Sequence, residues 1–272
     1  MRTALAFPVV ALLLLLPRVA EAKAPDNRPE IIVQGDWKGA SHEDIQQVLR
    51  SVADQLMVHC PARRLNNIIV TPCEGVPISL FKKGPHGEYQ VMLSARGTFW
   101  AQYAYQFAHE MCHLLCNYDQ RKTGKNLWFE ECLCETSSLF VLGQLPAAWD
   151  KEPPYANWKS FAPAFAKYRA ELLQPPERKL PENVTLNAWL NENLPVMRDE
   201  RELTERSKRV AAQLVPLFDA HPEGWETLIW INRGENDADA EFKAYLQSWH
   251  DRLPAGQRPF VERLQAAFGF DK

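Results

Sequence analysis

The chain of 272 residues has no excess of basic residues. Beyond its N-terminal segment it has no long hydrophobic run and no tract of low complexity. Its formal net charge is −3, so we expect no positive surface field and no nucleic-acid partner. Beyond the N-terminal segment no apolar stretch reaches the roughly 20 residues that cross a bilayer, which predicts no membrane association for the mature chain. A hydrophobic content of 46% with 11% aromatic residues indicates a packed globular core.

The six cysteines include no C-x₂-C pair, which argues against a zinc site of four thiolates. Cys60 and Cys73 flank residues 61–72 and could be bridged in an oxidising compartment. The other four lie in or beside two predicted helices, where two alternatives stay open. Either a disulfide joins the helices or the thiols pack as small hydrophobic groups: Cys112, Cys116, Cys132 and Cys134.

Residues 1–22 have the pattern of a cleavable secretory signal. Arg2 gives a positive start, an apolar run extends from Thr3 to Leu16, and Ala20-Glu21-Ala22 matches the small-x-small cleavage pattern. No cysteine follows the cleavage point, so a lipid anchor is not indicated. We therefore expect cleavage after Ala22 and a mature chain that is periplasmic or secreted.

The segment His109-Glu110-Met111-Cys112-His113 has the form H-E-x-x-H, within a helix predicted from Thr98 to Tyr118. Residues four apart share one helix face, so the two imidazoles can bind one ion. Glu110 lies about 100° around the axis, where it can reach a water on that ion without being a ligand. These groups suit Zn²⁺, which lowers the pKa of a bound water to about 7. The motif predicts a zinc hydrolase; the alternative is an incidental His pair on a half-exposed helix face.

A second motif follows in Trp128-Phe129-Glu130-Glu131-Cys132-Leu133-Cys134-Glu135. It resembles the second zinc motif of the gluzincins, the peptidase group that includes thermolysin and the zinc aminopeptidases. The resemblance implies that Glu131 is the third zinc ligand and that Glu135 accepts the outer N–H of a ligating imidazole. Glu130 and Glu135 are fallback ligands. A solvated helix N-terminus is the alternative interpretation of this acidic cluster.

The whole chain is similar to small exported bacterial proteins of the peptidase-MA-like type. This resemblance implies a zinc peptidase in which Glu110 is the general base and a peptide or protein is the substrate. It also implies that a Tyr or His stabilises the oxyanion. The candidates are Tyr103, Tyr105, Tyr155, Tyr168, His221 and His250. Two further hypotheses remain: a metal-binding protein of this fold without turnover, and a helical protein without metal.

A rival pattern makes Asp119 the third ligand. The spacing His109-x-x-x-His113-x-x-Cys116-x-x-Asp119 is that of the metzincins, with Asp in the place of their third His. That motif needs Gly at the position of Cys116 to turn the chain out of the helix. The sequence therefore favours Glu131 over Asp119.

The predicted fold class is α+β, with a small mixed or antiparallel sheet and the two zinc-site helices in residues 23–145. An all-helical lobe is predicted for residues 146–272. Expected strands are Ile31–Val33, Asn67–Thr71 and a hairpin of Ile78–Lys82 with Tyr89–Leu93. Expected helices are Ile45–His59, Thr98–Tyr118, Leu127–Leu142, Tyr155–Leu173, Thr185–Asn193, Glu202–Phe218, Glu223–Trp230, Glu241–Asp251 and Arg258–Phe268. Pro146, Pro153 and Pro154 are expected to close the region of the third helix.

Overall fold

The fold is α+β, as predicted, with a small mixed sheet followed by a series of helices. A computed structural model describes residues 27–120 and 123–270. The signal peptide predicted for residues 1–22 lies outside the described residues. Among the described residues, no helix combines the length and apolar character that a membrane crossing requires.

All four strands lie within about the first third of the chain, where one helix separates the first strand from the other three, and helices make up the rest of the described elements. The order is β1 (Ile31–Val33), α1 (His42–Met57), β2 (Ile68–Pro72), β3 (Ile78–Leu80), β4 (Tyr89–Leu93), α2 (Trp100–Leu115), α3 (Leu127–Lys151), α4 (Ala162–Leu173), α5 (Leu186–Met197), α6 (Glu205–Ala220), α7 (Phe242–Arg252) and α8 (Arg258–Ala267). Short 3₁₀ helices connect several of them, including Tyr118–Gln120, Ala156–Phe161 and Pro222–Trp230.

The sheet has the order β1-β2-β4-β3. β1 runs parallel to β2 and β2 parallel to β4, with Ile68 opposite Ile31 and Tyr89 on its two sides. β3 and β4 form the predicted antiparallel hairpin. β3 is shorter than predicted because Phe81 leaves the sheet and stacks on Tyr118, with ring centroids 5.4 Å apart. β3 is an edge strand and pairs, among the described strands, with β4 alone.

The helices next to the sheet follow from local sequence signals. Ser41 is the N-cap of α1, and its hydroxyl accepts a hydrogen bond from the backbone N–H of Asp44 at 3.0 Å. α2 has no side-chain cap at its start. Its Gln106 instead accepts hydrogen bonds from the backbone N–H groups of Ser94 and Ala95 at 3.0 and 2.9 Å. These bonds fix α2 against the segment that follows β4.

The predicted end of α3 at Leu142 is wrong, because the helix continues through Pro146 to Lys151. Proline removes one helical hydrogen bond and normally disfavours a helix interior. Packing beyond Pro146 compensates for this cost. Trp149 is 1% exposed and packs against Trp158 and Phe165 at centroid distances of 5.5 and 4.7 Å.

One cluster of buried hydrophobic residues includes members from Ile31 to Phe268. α3 packs against α1, α2, α4 and α6. The predicted division between residues 145 and 146 therefore lies inside a helix that contacts elements on both sides. The two lobes stay a prediction, and α3 is the element they have in common.

Candidate metal centre

The two histidines of the first motif lie one turn apart on α2, and the glutamates of the second motif lie at the start of α3. The two helices approach closely through small residues. The hydroxyl of Ser137 donates to the carbonyl of Ala108 at 3.1 Å, and that of Ser138 donates to the carbonyl of Tyr105 at 2.8 Å. This contact places the first turn of α3 opposite the histidine pair.

Glu131 meets both imidazoles. One carboxylate oxygen is 3.2 Å from Nε2 of His109, and the other is 3.6 Å from Nε2 of His113. The two rings lie 5.0 Å apart at 70°. Ligand atoms of a tetrahedral zinc site stand about 3.3 to 3.5 Å apart, given metal–ligand bonds of about 2.0 to 2.2 Å. These two nitrogen–oxygen distances are close to that range, and imidazole and carboxylate groups are ligands that zinc accepts.

The site favours positive charge. Burial lowers the pKa of His113, but the charge of Glu131 and the hydrogen bond to Glu130 outweigh it and raise that pKa to about 10. Burial likewise opposes the charged form of His109, yet Glu131 raises the pKa of this imidazole above its ordinary value. Burial raises the pKa of Glu131, and the two imidazoles reverse the shift and lower it. These carboxylates stabilise cationic charge at this point, whether protons or a metal ion carry it.

The outer nitrogen of His113 is held by Glu130. Nδ1 of His113 lies 2.6 Å from Oε1 of Glu130, so this carboxylate orients the ring and leaves Nε2 directed toward Glu131. Oε2 of Glu130 accepts a hydrogen bond from Nδ2 of Asn232 at 2.5 Å. The hydroxyl of Tyr245 donates to Oδ1 of Asn232 at 3.0 Å. A series of hydrogen bonds between side chains thus connects Tyr245 on α7 to the imidazole of His113.

Asn232 is a residue of the candidate site that the sequence does not single out. Its Nδ2 also donates to the carbonyl of Cys116 near the end of α2, at 3.0 Å. Its backbone has a positive φ of 61°, which Asn tolerates better than most residues. Isolated asparagines in loops are common, and only the fold brings this one within reach of Glu130.

The predicted role of Glu135 is wrong in the structure, because Glu130 takes the position on the outer imidazole nitrogen. Glu135 is fully buried; it accepts a hydrogen bond from the hydroxyl of Tyr105 at 2.5 Å and pairs with Arg178. It lies one turn beyond Glu131 on α3 and so faces a deeper layer. There it joins α2, α3 and the short 3₁₀ helix at Pro176–Arg178.

Glu110 lies on the wall of a cleft of about 510 Å³ that the imidazoles and Glu131 also line. It is 2% exposed, and its carboxylate accepts a hydrogen bond from the hydroxyl of Ser79 on β3 at 2.8 Å. A hydrogen bond therefore connects the edge strand β3 to Glu110, the candidate general base. The charged residues Arg201 and Lys208 also line the cleft.

The six residues predicted as oxyanion donors have different environments. Only Tyr105 lines the cleft, and Glu135 already accepts from its hydroxyl. Tyr118, which is not among the predicted donors, also lines the cleft, and its hydroxyl donates to the carbonyl of Leu80 at 2.5 Å. The others pack or pair elsewhere: Tyr103 beside Trp37, Tyr155 beside Trp158, Tyr168 beside Tyr105, His221 beside Glu223 and His250 beside Asp251 and Glu262.

The rival ligand Asp119 pairs with Lys83 at 3.0 Å and is not among the residues that line the cleft. Cys116 has an ordinary φ of −75°, so the chain does not make the glycine-dependent turn of the rival motif at this position. The left-handed residue is the next one, Asn117, at φ 58°. The structure thus separates Asp119 from the histidine pair by a different turn.

Cys134 is another candidate for the third ligand. Its sulfur and one nitrogen from each of His109 and His113 lie within 4.8 Å of one another. Cys134 is fully buried, it does not line the cleft, and burial raises the pKa of its thiol. Zinc binds the thiolate, so this burial opposes ligation. Glu131, by contrast, lines the cleft, and the two imidazoles lower the pKa of its carboxyl group.

All six cysteines are free thiols. The predicted bridge between Cys60 and Cys73 is not formed. Cys60 is buried, while the thiol of Cys73 lies near the carbonyls of Gly75 and Val76. No bridge joins α2 and α3 either, so the alternative of buried thiols describes this region.

Comparison of the chain with protein-family models, with curated proteins and with solved structures gives no match.

Proposed function

We propose that the protein is a zinc-dependent hydrolase, specifically a peptidase of the gluzincin type, with His109, His113 and Glu131 as the zinc ligands. One observation carries the proposal. Both Nε2 atoms lie within 3.6 Å of the same carboxylate, on the wall of an open cleft that also contains Glu110. Three protein ligands with access for a fourth group are the arrangement of catalytic zinc sites, whereas structural sites are closed.

A bound zinc ion would supply a Lewis acid that makes a water nucleophilic near neutral pH. Glu110 accepts the proton of the attacking water and delivers it to the leaving amine. The hydroxyl of Ser79 positions the Glu110 carboxylate by donating to it at 2.8 Å. Glu130 and Asn232 keep Nε2 of His113 directed into the cleft. Each of these groups acts from a packed element, which limits the reorganisation that the reaction requires.

The cleft wall supports a peptide as the substrate. β3 pairs with β4 on one side only, and its residues Ile78 and Ser79 line the cleft. An extended peptide can add to such an edge through backbone hydrogen bonds. Val76, Ile78 and Phe81 are 80%, 45% and 47% exposed and offer apolar contacts along the same wall. We expect substrates that are extended and carry apolar side chains next to the scissile bond.

The decisive experiment compares wild type with Glu110→Gln on a broad peptide library, with and without chelator. We expect Glu110→Gln to retain zinc and to lose at least about 100-fold in kcat/KM, since general acid–base catalysis contributes about 10²- to 10⁴-fold. Glu171→Gln, which removes an exposed carboxylate on α4, is the control and should cleave normally. Equal cleavage by wild type and Glu110→Gln would exclude the assigned base.

The position of Cys134 favours one second candidate, a His/His/Cys metal-binding protein without turnover. The two candidates differ in what Glu131 does. If Glu131 is a ligand, Glu131→Ala loses zinc and Cys134→Ser retains it. If the site is His/His/Cys, the result is reversed. Zinc content after dialysis against a weak chelator distinguishes them without any assay of activity.

A further inference from the structure

The link between α5 and α6 forms part of the cleft wall. Arg201 and Glu202, both exposed, lie on this link and line the cleft. The link lies beside the start of α3, because Asp199 pairs at 2.5 Å with Lys125, just before that helix. The same part of α3 carries Glu131, the proposed zinc ligand. Arg201 and the candidate metal centre therefore belong to one cleft.

The conformation of the link is fixed close to Arg201. Glu200 accepts a hydrogen bond from the hydroxyl of Thr204 at 2.8 Å and pairs with Arg206 at 2.9 Å. Thr204 is also the N-cap of α6, where its hydroxyl accepts a hydrogen bond from the backbone N–H of Ser207 at 3.3 Å. These contacts hold the backbone that carries Arg201, which lowers the cost of ordering it when a ligand binds.

Arg201 differs from basic residues around it because it has no carboxylate partner. Four nearby basic residues each pair with a carboxylate at 3.2 Å or less: Lys125 with Asp199, Arg198 with Glu241, Arg206 with Glu200 and Lys208 with Glu205. Within the part of the chain that the structure describes, Arg201 forms no ion pair of this kind. The guanidinium of Arg201 is therefore available to a group that enters the cleft.

The chemistry of arginine suits a carboxylate group. A guanidinium presents two parallel N–H groups to the two oxygens of a carboxylate, an arrangement that a lysine cannot form. Peptides carry such groups at the C-terminus and on acidic side chains. A cleft also excludes part of the solvent that weakens ion pairs on an open surface. Glu202 adds one negative charge to the same wall, which opposes the binding of strongly acidic peptides.

We propose that Arg201 binds a carboxylate group of the peptide substrate and so determines specificity. This inference rests on the proposed function, which places the substrate in the cleft. The carboxylate is that of the peptide C-terminus or of an acidic side chain. The guanidinium stays charged, so the step is association alone and moves no proton. Together with the apolar wall beside β3, Arg201 selects peptides that combine apolar side chains with a single carboxylate.

Two sets of matched peptides test the preference and identify its source. The first compares one sequence with a free C-terminal carboxylate and with a C-terminal amide. The second uses amidated peptides in which a single Glu, or Gln as its neutral counterpart, is moved along the sequence. In one set we expect kcat/KM to be higher by about 10-fold or more for the carboxylate, the lower range for a hydrogen bond to a charged group. Equal kcat/KM throughout both sets would overturn the proposal.

Arg201→Gln assigns the preference to this residue. We expect the ratio of kcat/KM between the charged and neutral peptides to fall to about one. Arg198→Gln is the matched control, because Arg198 precedes Arg201 in the chain, pairs with Glu241 and is not among the described residues that line the cleft. Its ratio should remain that of wild type. A ratio that persists in Arg201→Gln, or that both variants lose equally, would contradict the assignment.

Direct binding separates this proposal from the proposed hydrolase. Fluorescence anisotropy of labelled peptides with Glu110→Gln protein measures affinity without turnover. Tighter binding of the carboxylate peptides that disappears when Arg201→Gln is added, with no cleavage by wild type, would remove the hydrolase proposal and leave the carboxylate site standing. Cleavage by wild type without any preference for a carboxylate would have the opposite consequence. Absence of both binding and cleavage would overturn both proposals.

Discussion

The orientation of the His113 ring depends on a residue from a distant part of the chain. Nδ1 lies 2.6 Å from Glu130, and the other oxygen of this carboxylate accepts a hydrogen bond from Asn232. Such outer partners hold the tautomer and orientation of a metal-binding histidine. The direction of one ligand atom therefore depends on a residue more than one hundred positions later in the chain.

Asn232→Gly tests this dependence, because glycine accepts the positive φ of this residue while the amide is lost. We expect zinc affinity to fall about 10- to 100-fold, the usual effect of losing an outer partner. Competition with a fluorescent zinc chelator measures it. Asn183→Gly is the control, since Asn183 also has a positive φ but is exposed, and its variant should bind zinc as wild type does. Similar losses in both variants would point to a backbone effect.

Ser79 permits a second test at the same scale. Ser79→Ala removes the hydroxyl that donates to Glu110 at 2.8 Å, and hydrogen bonds to charged groups contribute about 1.5 to 3 kcal/mol. We expect kcat/KM for peptides to fall about 10-fold or more while zinc content is unchanged. Ser160→Ala, at an exposed position, should not alter either quantity. Loss of zinc in Ser79→Ala would mean that the hydroxyl acts on the fold of the site and not on the base.

At the scale of elements, α3 supplies Glu130 and Glu131 at its first turn and hydrophobic packing along its whole length. Its continuation past Pro146 is the clearest departure from local sequence signals. Proline cannot donate to the carbonyl of Leu142, so the helix is retained against a local cost. The buried contacts of Trp149 outweigh that cost.

Pro146→Ala should therefore stabilise the protein. Alanine restores the missing N–H and is favoured over proline in a helix interior by about 3 kcal/mol, part of which is offset by greater freedom of the unfolded chain. We expect the free energy of unfolding to rise by about 1 to 3 kcal/mol in urea titrations. Pro181→Ala, in an exposed link, should not raise it. A less stable Pro146→Ala protein would show that the proline ring itself is needed for packing.

Local patterns predict the elements better than they predict the ends of elements or the contacts between them. The hairpin, the Ser41 cap and the helix that carries His109 and His113 follow from turn residues and helical spacing. The convergence of Glu131 with the imidazoles follows from motif spacing together with family resemblance. The positions of Glu130 and Asn232 depend on how α2 and α3 pack, which no local signal encodes.

At the scale of the whole molecule, the candidate zinc site lies where the two predicted lobes meet. α3 contributes Glu130 and Glu131 to the candidate site and also packs against α6. Asn232 and Tyr245 reach the site from the C-terminal part of the chain. One buried cluster includes residues of both predicted lobes. Zinc bound at the site should therefore stabilise the entire fold.

Calorimetry tests this coupling. A ligand that binds only the folded state adds RT ln(1 + [L]/Kd), about 4 kcal/mol at a free concentration 1,000 times the Kd. We expect one unfolding transition, with equal calorimetric and van't Hoff enthalpies, that moves to lower temperature when a chelator removes zinc. Glu131→Gln should unfold at the lower temperature with or without added zinc, which separates the loss of the ligand from a general effect of the chelator. Two transitions, of which only one responds to zinc, would instead mean that the lobes fold separately and that the contacts of α3 and Asn232 across them contribute little.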